Sequence, residues 1–189
     1  EIRFCDWSSD VCSSDLYIRQ AVKICEIGHR AIMDSFQDGI TQLELWGNAL
    51  QSMYKAGGEP AGLNQGVVSG SLFTGHGISG TRRVRKGEMF VVDLCGVVRR
   101  YHGNLLRTYF AGDPPKDLAQ RVADSAGAYP VLASAARPGI TVGRAVAELL
   151  RYYQSSSMGR DFNYLLGYEL GIAFPPDWVN EWYFTEARF

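Results

Sequence analysis

The spacing of apolar residues predicts two amphipathic helices in the first third of the chain. Over Tyr17–Phe36 the apolar positions recur every three or four residues, which is the period of a helix with one buried face. This helix is expected to end near Asp38-Gly39. Thr41 followed by Glu44 is the signature of a capping box, and it predicts a second helix that stops at Gly57-Gly58.

The rest of the chain alternates short apolar runs, which predict strands, with longer periodic stretches, which predict helices. In order, these are a strand at Val67-Val68, a hairpin of Met89–Val92 and Leu105–Phe110 joined by a longer Gly-containing loop, helices over Asp117–Ala136 and Thr141–Met158, and a short strand within Leu165–Phe174. A helix pair with a Gly break occurs twice, as QDGIT and ARPGIT, which indicates a duplicated unit. The order predicts an α+β fold.

Residues 1–16 do not share these patterns. The near-repeat SSDVCSSD is low in complexity and has neither a helical nor a strand period before the pattern begins at Tyr17. We expect residues 1–16 to be a leader foreign to the fold, similar to a translated linker.

Composition and charge narrow the classes of partner. The chain has 189 residues, enough for one domain, with 19 Lys and Arg against 20 Asp and Glu. This balance argues against nucleic acid or an anionic membrane surface as a partner. No apolar run approaches the roughly 18 residues of a membrane span, and the start of the chain does not resemble a signal peptide. We therefore expect a soluble, cytoplasmic protein.

Asp93 is the residue of the predicted hairpin that most needs an explanation. It stands in an apolar strand, and an ionised carboxylate in such a layer costs several kcal/mol, roughly, unless a partner pairs with it. Arg107 is one candidate partner, and we expect this pairing, although its guanidinium could instead hold a substrate carboxylate. Tyr101 and His102 alternate along the strand, so only one of them is expected to reach a cleft.

Several segments together resemble the peptidase family that includes creatinase, prolidase, aminopeptidase P and ectoine hydrolase. They are, in order, QDGITQLELWGNALQSMYKAGG, Ser69-Gly70 before His76, KGEMFVVDL, Tyr101 with LLRTYFAGDPP, ARPGIT and GYELGIAFPPDW. The resemblance implies the pita-bread fold, a curved antiparallel sheet covered by paired helices, here with its C-terminal part incomplete. It covers residues 17–178 as an incomplete catalytic domain and leaves residues 179–189 as a tail.

The resemblance also implies where a dinuclear metal centre would lie in the metal-dependent members. Asp93 matches the first ligand position, whereas Asn104 stands at the second and Tyr168 stands where a ligand His is expected. Asp93 is therefore the only position that matches a family ligand, and no cofactor is expected. The segments are more similar to the creatinase and ectoine-hydrolase branch, which implies His76 as the general acid and base.

In that branch Asp93 would orient a substrate nitrogen or a water molecule, and Arg107, Tyr101, His102 and Tyr168 are the expected substrate contacts. Three functions stay open. The first is a metal-independent hydrolase of C–N bonds in small amides or amidines. The second is an Xaa-Pro dipeptidase or aminopeptidase with a divalent metal such as manganese, and the third is an inactive, truncated module. The expected partner is a small molecule or dipeptide, and a homodimer is a further candidate.

Overall fold

The computed structural model describes residues 7–63, 65–70, 77–159, 165–177 and 179–185. Its elements are, in chain order, α1 (Trp7–Ser35), α2 (Gln42–Lys55), β1 (Val67–Ser69), β2 (Met89–Val98), β3 (Tyr101–Phe110), α3 (Lys116–Ala135), α4 (Val142–Ser155), β4 (Leu165–Leu170) and β5 (Val179–Thr185). The chain divides into a first unit of residues 1–113 and 170–180 and a second unit of residues 114–169 and 181–189. Among the described residues, no helix is both long and apolar enough to cross a membrane.

The first two helices differ in how well their starts could be predicted. α1 begins at Trp7, ten residues before the start predicted at Tyr17, so residues 7–16 are helical although their sequence shows no helical period. No Gly or Pro interrupts this stretch, and an ion pair between Arg19 and Asp15 at 2.8 Å spans the predicted boundary. The capping box of α2 is confirmed, because the Thr41 side chain accepts from the backbone N–H of Glu44 while the Glu44 carboxylate accepts from the backbone N–H of Thr41.

The first unit contains an antiparallel sheet with the strand order β1-β2-β3. The hairpin of β2 and β3 is longer than predicted, and a two-residue turn joins its strands instead of a longer loop. Both turn residues, Arg99 and Arg100, have positive φ angles, 50° and 65°. This turn type normally takes Asn-Gly or a similar pair, so the Arg-Arg sequence concealed it.

Glycines inside the hairpin let α1 lie directly on the sheet. A Cβ atom at Gly96 would strike the carbonyl oxygen of Ala21, and one at Gly103 would lie 2.8 Å from the backbone nitrogen of Val22. The thiol of Cys25 fills the same contact, accepting from the Gly96 N–H at 2.8 Å. In the sequence these glycines suggest a loop, but they lie within the strands, where they let α1 pack closely against the sheet.

One face of the hairpin, which we call the helix face, forms the core with α1 and α2. Its β2 side chains Phe90, Val92 and Leu94 are buried among apolar side chains of both helices, and Leu105 and Tyr109 of β3 pack against the same core. Since side chains alternate along a strand, the intervening residues of β2 and β3 lie on the opposite face. We call this opposite face the polar face.

The second unit contains the helices α3 and α4 and most of a two-stranded sheet of β4 and β5. The hydroxyl of Tyr152 on α4 donates to the carbonyl of Asp124 on α3 at 2.7 Å. The Asp124 carboxylate accepts from the backbone N–H of Ser157 at 2.7 Å, which holds the end of α4 against α3. β5 lies in the part of the chain for which the sequence pattern predicted no element.

Candidate active site

The polar face of the hairpin brings together three of the polar side chains of β2 and β3. In the register of the two strands, Asp93 lies opposite Leu106, Cys95 opposite Asn104, and Val97 opposite His102. Directly opposed residues project to the same face of an antiparallel pair. Asp93, Asn104 and His102 therefore form a row along one surface of the sheet.

Asp93 is buried, as its sequence context predicts, with 2% of its surface exposed. One hydrogen-bond partner of Asp93 is Asn104, whose Nδ2 donates to Asp93 Oδ1 at 2.6 Å and to the carbonyl oxygen of Leu94 at 3.2 Å. Both neighbours of this amide nitrogen are acceptors, which determines the orientation of the amide group. Asn104 thus supplies a charge-assisted hydrogen bond to a buried carboxylate.

The expected pairing of Arg107 with Asp93 is wrong. Arg107 lies opposite Val92 in the register, so it projects to the face opposite Asp93. Its guanidinium is exposed and donates to the carbonyl of the adjacent Leu106 at 2.8 Å. The side-chain period of two along a strand separates the two charges, although they are close in the sequence.

Tyr101 and His102 lie on opposite faces of β3, as their alternation predicts. Tyr101 is on the helix face and stacks on Tyr17 of α1, with ring centroids 5.5 Å apart. His102 is on the polar face and is fully buried, with 0% of its surface exposed. Both of its ring nitrogens contact backbone groups, those of Gly62 and Arg100.

Burial lowers the pKa of His102 below its usual value, and the nearby Arg100 guanidinium lowers it further. The side chain is therefore neutral near pH 7. Its Nδ1 faces a carbonyl oxygen and carries the proton, while its Nε2 faces an N–H group and accepts. His102 consequently acts through these backbone contacts rather than as a free imidazole.

His76 and Tyr168 are the remaining candidate residues. His76 is outside the residues that the structure describes. The chain on either side of it is joined by a hydrogen bond from the Gly66 N–H to the Gly77 carbonyl at 3.3 Å and by one from the Val67 N–H to Ser79 Oγ at 2.7 Å. Tyr168 is on β4 in the second unit, where it is partly exposed.

The donor set of the polar face was tested against the dinuclear centre that the resemblance implies. Such a centre needs bridging carboxylates, but Asn104 presents an NH₂ group to Asp93. A reversed amide would place its oxygen against the Asp93 carboxylate and the Leu94 carbonyl, which are both acceptors. Within the described residues, no three His, Cys, Asp or Glu side chains lie close enough to hold an ion. The described residues therefore do not fit a dinuclear metal centre.

The sequence does not predict the contact between Asn104 and Asp93. Once the two-residue turn at Arg99 and Arg100 is known, the register follows directly and puts Asn104 one row from Asp93 on the same face. The local sequence carries no signal for this turn, because neither residue is Gly or Asn. The alternation of the strand was visible, but the register was not.

Comparisons with known proteins give the chain a family context. The model of metallopeptidase family M24 matches residues 17–186. The Xaa-Pro dipeptidase of Pyrococcus horikoshii is 24% identical over 176 residues, which are 91% of this chain and 49% of that protein. The ectoine hydrolase of Halomonas elongata is 25% identical over 179 residues, which are 86% of this chain and 43% of that protein.

Among solved structures, the prolidase of Pyrococcus furiosus superposes with a TM-score of 0.81 at 20% identity. The match covers 93% of this chain and 51% of the prolidase, and at this identity it bears on the fold alone. The chain spans about half the length of the curated relatives it matches. The expected combination of paired helices with an antiparallel sheet, as in the pita-bread fold, is confirmed.

Proposed function

Because this chain belongs to metallopeptidase family M24, we propose that its protein hydrolyses a C–N bond in a small amide or amidine and does so without a dinuclear metal centre. The motifs in the sequence had pointed to this family, and that expectation is confirmed. What we propose is which bond the protein hydrolyses and that it needs no dinuclear metal centre to do so.

The hydrogen bond between Asn104 and Asp93 carries this proposal. At 2.6 Å, the Asn104 NH₂ group occupies a side of the carboxylate that a bridged metal ion would need. A carboxylate held in this way is an oriented acceptor, suited to an N–H group of a substrate or to a water molecule. The same pair of residues would be a poor template for two divalent cations.

His76 supplies the proton transfers in the proposed reaction. Water attacks the carbon of the C–N bond, His76 takes a proton from that water, and it then gives the proton to the leaving nitrogen. An imidazole with an ordinary pKa of about 6.5 can do both near neutral pH. Asp93 holds the substrate nitrogen or the water in line.

Assays with three substrates in a strong chelator test this function. The purified protein is incubated with creatine, ectoine and an Xaa-Pro dipeptide, with and without EDTA, and released product is quantified. We expect hydrolysis of a non-peptide substrate that persists in EDTA and is lost in His76→Ala. Activity that disappears with EDTA, or no hydrolysis of any substrate, would contradict the proposal.

An Xaa-Pro dipeptidase is the second candidate, favoured by the matching relative in Pyrococcus horikoshii. In this case the protein would bind a divalent metal such as manganese and cleave only the dipeptide. Titration with Mn²⁺ followed by calorimetry separates the two candidates. Tight binding of Mn²⁺, with dipeptide cleavage that manganese restores after EDTA, would favour the dipeptidase.

A further inference from the structure

The tip of the hairpin joins three segments that are far apart in the sequence. We call this cluster the tip junction: residues 59–62, the turn and first strand residues 99–102, and residues 171–173. The His102 N–H donates to the Gly171 carbonyl at 2.9 Å, and the Ala173 N–H donates to the Arg100 carbonyl at 3.1 Å. Residues 171–173 thereby pair with the edge of β3 that is not bonded to β2, through an antiparallel bridge between Tyr101 and Ile172.

Charged groups hold the same three segments together. The Glu59 carboxylate accepts from the backbone N–H groups of Arg99 and Arg100 at 2.7 and 3.1 Å, which stabilises their left-handed turn. The Arg100 guanidinium donates to the carbonyl oxygens of Pro60 at 2.8 Å and Ala173 at 3.0 Å. One arginine side chain thus connects two segments that both lie against the turn.

His102 is the buried centre of the tip junction. Its Nε2 accepts from the Gly62 N–H at 3.0 Å, and its Nδ1 donates to the Arg100 carbonyl at 2.9 Å. An apolar side chain could fill the space but could not bind either backbone group. The position therefore needs a residue with one donor and one acceptor at the separation of two ring nitrogens.

His102 also lies next to the proposed site along the same strand. It and Asn104 project to one face of β3, two residues or about 7 Å apart. Asn104 in turn holds the Asp93 carboxylate at 2.6 Å. Because only Gly103 separates His102 from Asn104 on β3, a shift of the backbone at His102 would move the Asn104 amide relative to Asp93 on β2.

We propose that His102 is a positioning residue, which uses its two ring nitrogens to hold the tip junction and, through β3, sets the position of Asn104 against Asp93. This inference rests on the proposed function for its effect on catalysis. Its effect on the Asn104 contact does not depend on which reaction the protein performs.

Three substitutions separate the two ring contacts. In His102→Asn, the side-chain amide occupies the position of Nδ1, so the donor to the Arg100 carbonyl is kept and the acceptor for Gly62 is lost. In His102→Gln, the amide reaches the position of Nε2, so the Gly62 contact is kept and the Arg100 contact is lost. His102→Ala removes both.

Nuclear magnetic resonance gives the direct readout. Hydrogen exchange of the Gly62 amide should accelerate at least about tenfold in His102→Asn and His102→Ala but stay near the wild-type rate in His102→Gln, since a lost hydrogen bond of 1.4 kcal/mol corresponds to a factor of 10. The side-chain NH₂ resonances of Asn104 should shift in all three variants, most in His102→Ala. Unchanged Asn104 resonances in every variant would overturn the proposal.

His29→Gln is the matched control. His29 is also a buried histidine with both ring nitrogens bonded, to the Tyr109 hydroxyl and the Leu105 carbonyl, but it lies on the helix-face side of β3. After correction for the folded fraction, we expect its kcat to be unchanged, whereas kcat in His102→Ala falls between about 10- and 100-fold with a smaller change in KM. Equal kcat values in the two variants would contradict the positioning role.

The two proposals fail in different ways. If the wild-type protein hydrolyses none of the substrates, the proposed function fails, while Gly62 exchange and the Asn104 resonances still decide the role of His102. If hydrolysis is observed but the His102 variants behave like His29→Gln, the positioning role fails alone. Should His102→Ala not fold, the Asn and Gln variants, which each keep one contact, provide the same comparison.

Discussion

Asp93 and Asn104 show how one amide can stabilise a buried carboxylate. Asp93 has 2% of its surface exposed and would pay a large desolvation cost without hydrogen bonds. Asn104 provides a donor without adding a second buried charge. The pair can therefore be tested by substitutions of nearly equal volume.

Asn104→Leu should lower the free energy of unfolding by about 1.5–3 kcal/mol, since it removes a hydrogen bond to a charged group. Asn104→Asp should be more destabilising at pH 7, because it places two carboxylates in contact, and it should recover stability as the pH falls and one of them protonates. Urea unfolding at pH 7 and pH 5 measures both effects. Thr108→Leu, at an exposed position of β3, is the control. An Asn104→Asp variant as stable as wild type at pH 7 would contradict this account.

The buried His29 should make the folded protein less stable in mild acid. Burial lowers its pKa in the folded protein, with a further lowering by Arg107, whereas the unfolded chain keeps the ordinary value of 6.5. As the pH drops through 6.5, the unfolded state binds more protons than the folded state. The free energy of unfolding therefore decreases as the pH decreases, until the pKa of the folded protein is reached. His102 contributes with the same sign.

Replacing His29 by Gln should reduce this pH dependence, because the substitution removes a group that takes up a proton more readily in the unfolded chain than in the folded protein. The measurement is the free energy of unfolding from pH 7.5 to pH 5, in wild type and in His29→Gln. We expect a shallower decline in the variant, with the remaining slope due in part to His102. An identical pH dependence of the free energy of unfolding in both proteins would contradict a lowered pKa of His29 in the folded state.

At the scale of elements, the contact between α1 and the hairpin depends on the absence of side chains at a few positions. Gly96 and Gly103 let the backbone of α1 approach the sheet, and Gly28 on α1 lies against Met53 and Leu94. Each glycine lies in one element, but the atoms that leave no room for a side chain belong to another element. The local sequence of either element therefore does not show why a glycine is needed. Their replacement should separate the two layers.

Gly96→Ala should destabilise the protein by about 1–3 kcal/mol, because its methyl group would overlap the backbone of α1. Gly47→Ala is the matched control, since no atom lies within 4 Å of the added Cβ on α2. This control should stabilise the protein by about 0.5–1 kcal/mol, the usual gain from replacing glycine inside a helix. Chemical denaturation of the two variants gives both values, and opposite signs are the expected result.

At the scale of the whole molecule, family membership connects the chain to proteins about twice its length. The homodimer and the cytoplasmic location remain predictions from the sequence. Sedimentation velocity over a range of protein concentrations tests the first. A single monomeric species at all concentrations would contradict it.

The sequence predicted the helices of the first unit better than its hairpin. The capping box at Thr41 and Glu44 is a local signal and was correct. The hairpin strands were predicted too short, because Gly96 and Gly103 suggest a loop and the Arg99-Arg100 turn has no typical turn residue. Local propensity could not show that α1 covers these glycines.

The sequence predicts the burial of Asp93 in the candidate site but not the partner of its carboxylate. The burial of Asp93 followed from its apolar neighbours in the sequence and is confirmed. The choice between Arg107 and Asn104 as its partner was not predictable, since it depends on which residues of β3 share its face. The role of His102 depends further on Gly62 and Gly171, which lie 40 residues before and 69 residues after it and carry no sequence signal of the contact.

The sequence by itself determined the family, the helical periods, the α2 cap and a strand that buries one carboxylate. These features arise from residues close together in the chain or from motifs in a fixed order. Only the tertiary structure decided that Asn104 holds Asp93, that Arg107 faces away and that His102 is enclosed by the tip junction. The physical reason is strand register, because a shift of one residue exchanges the two faces of a strand while leaving its local pattern unchanged.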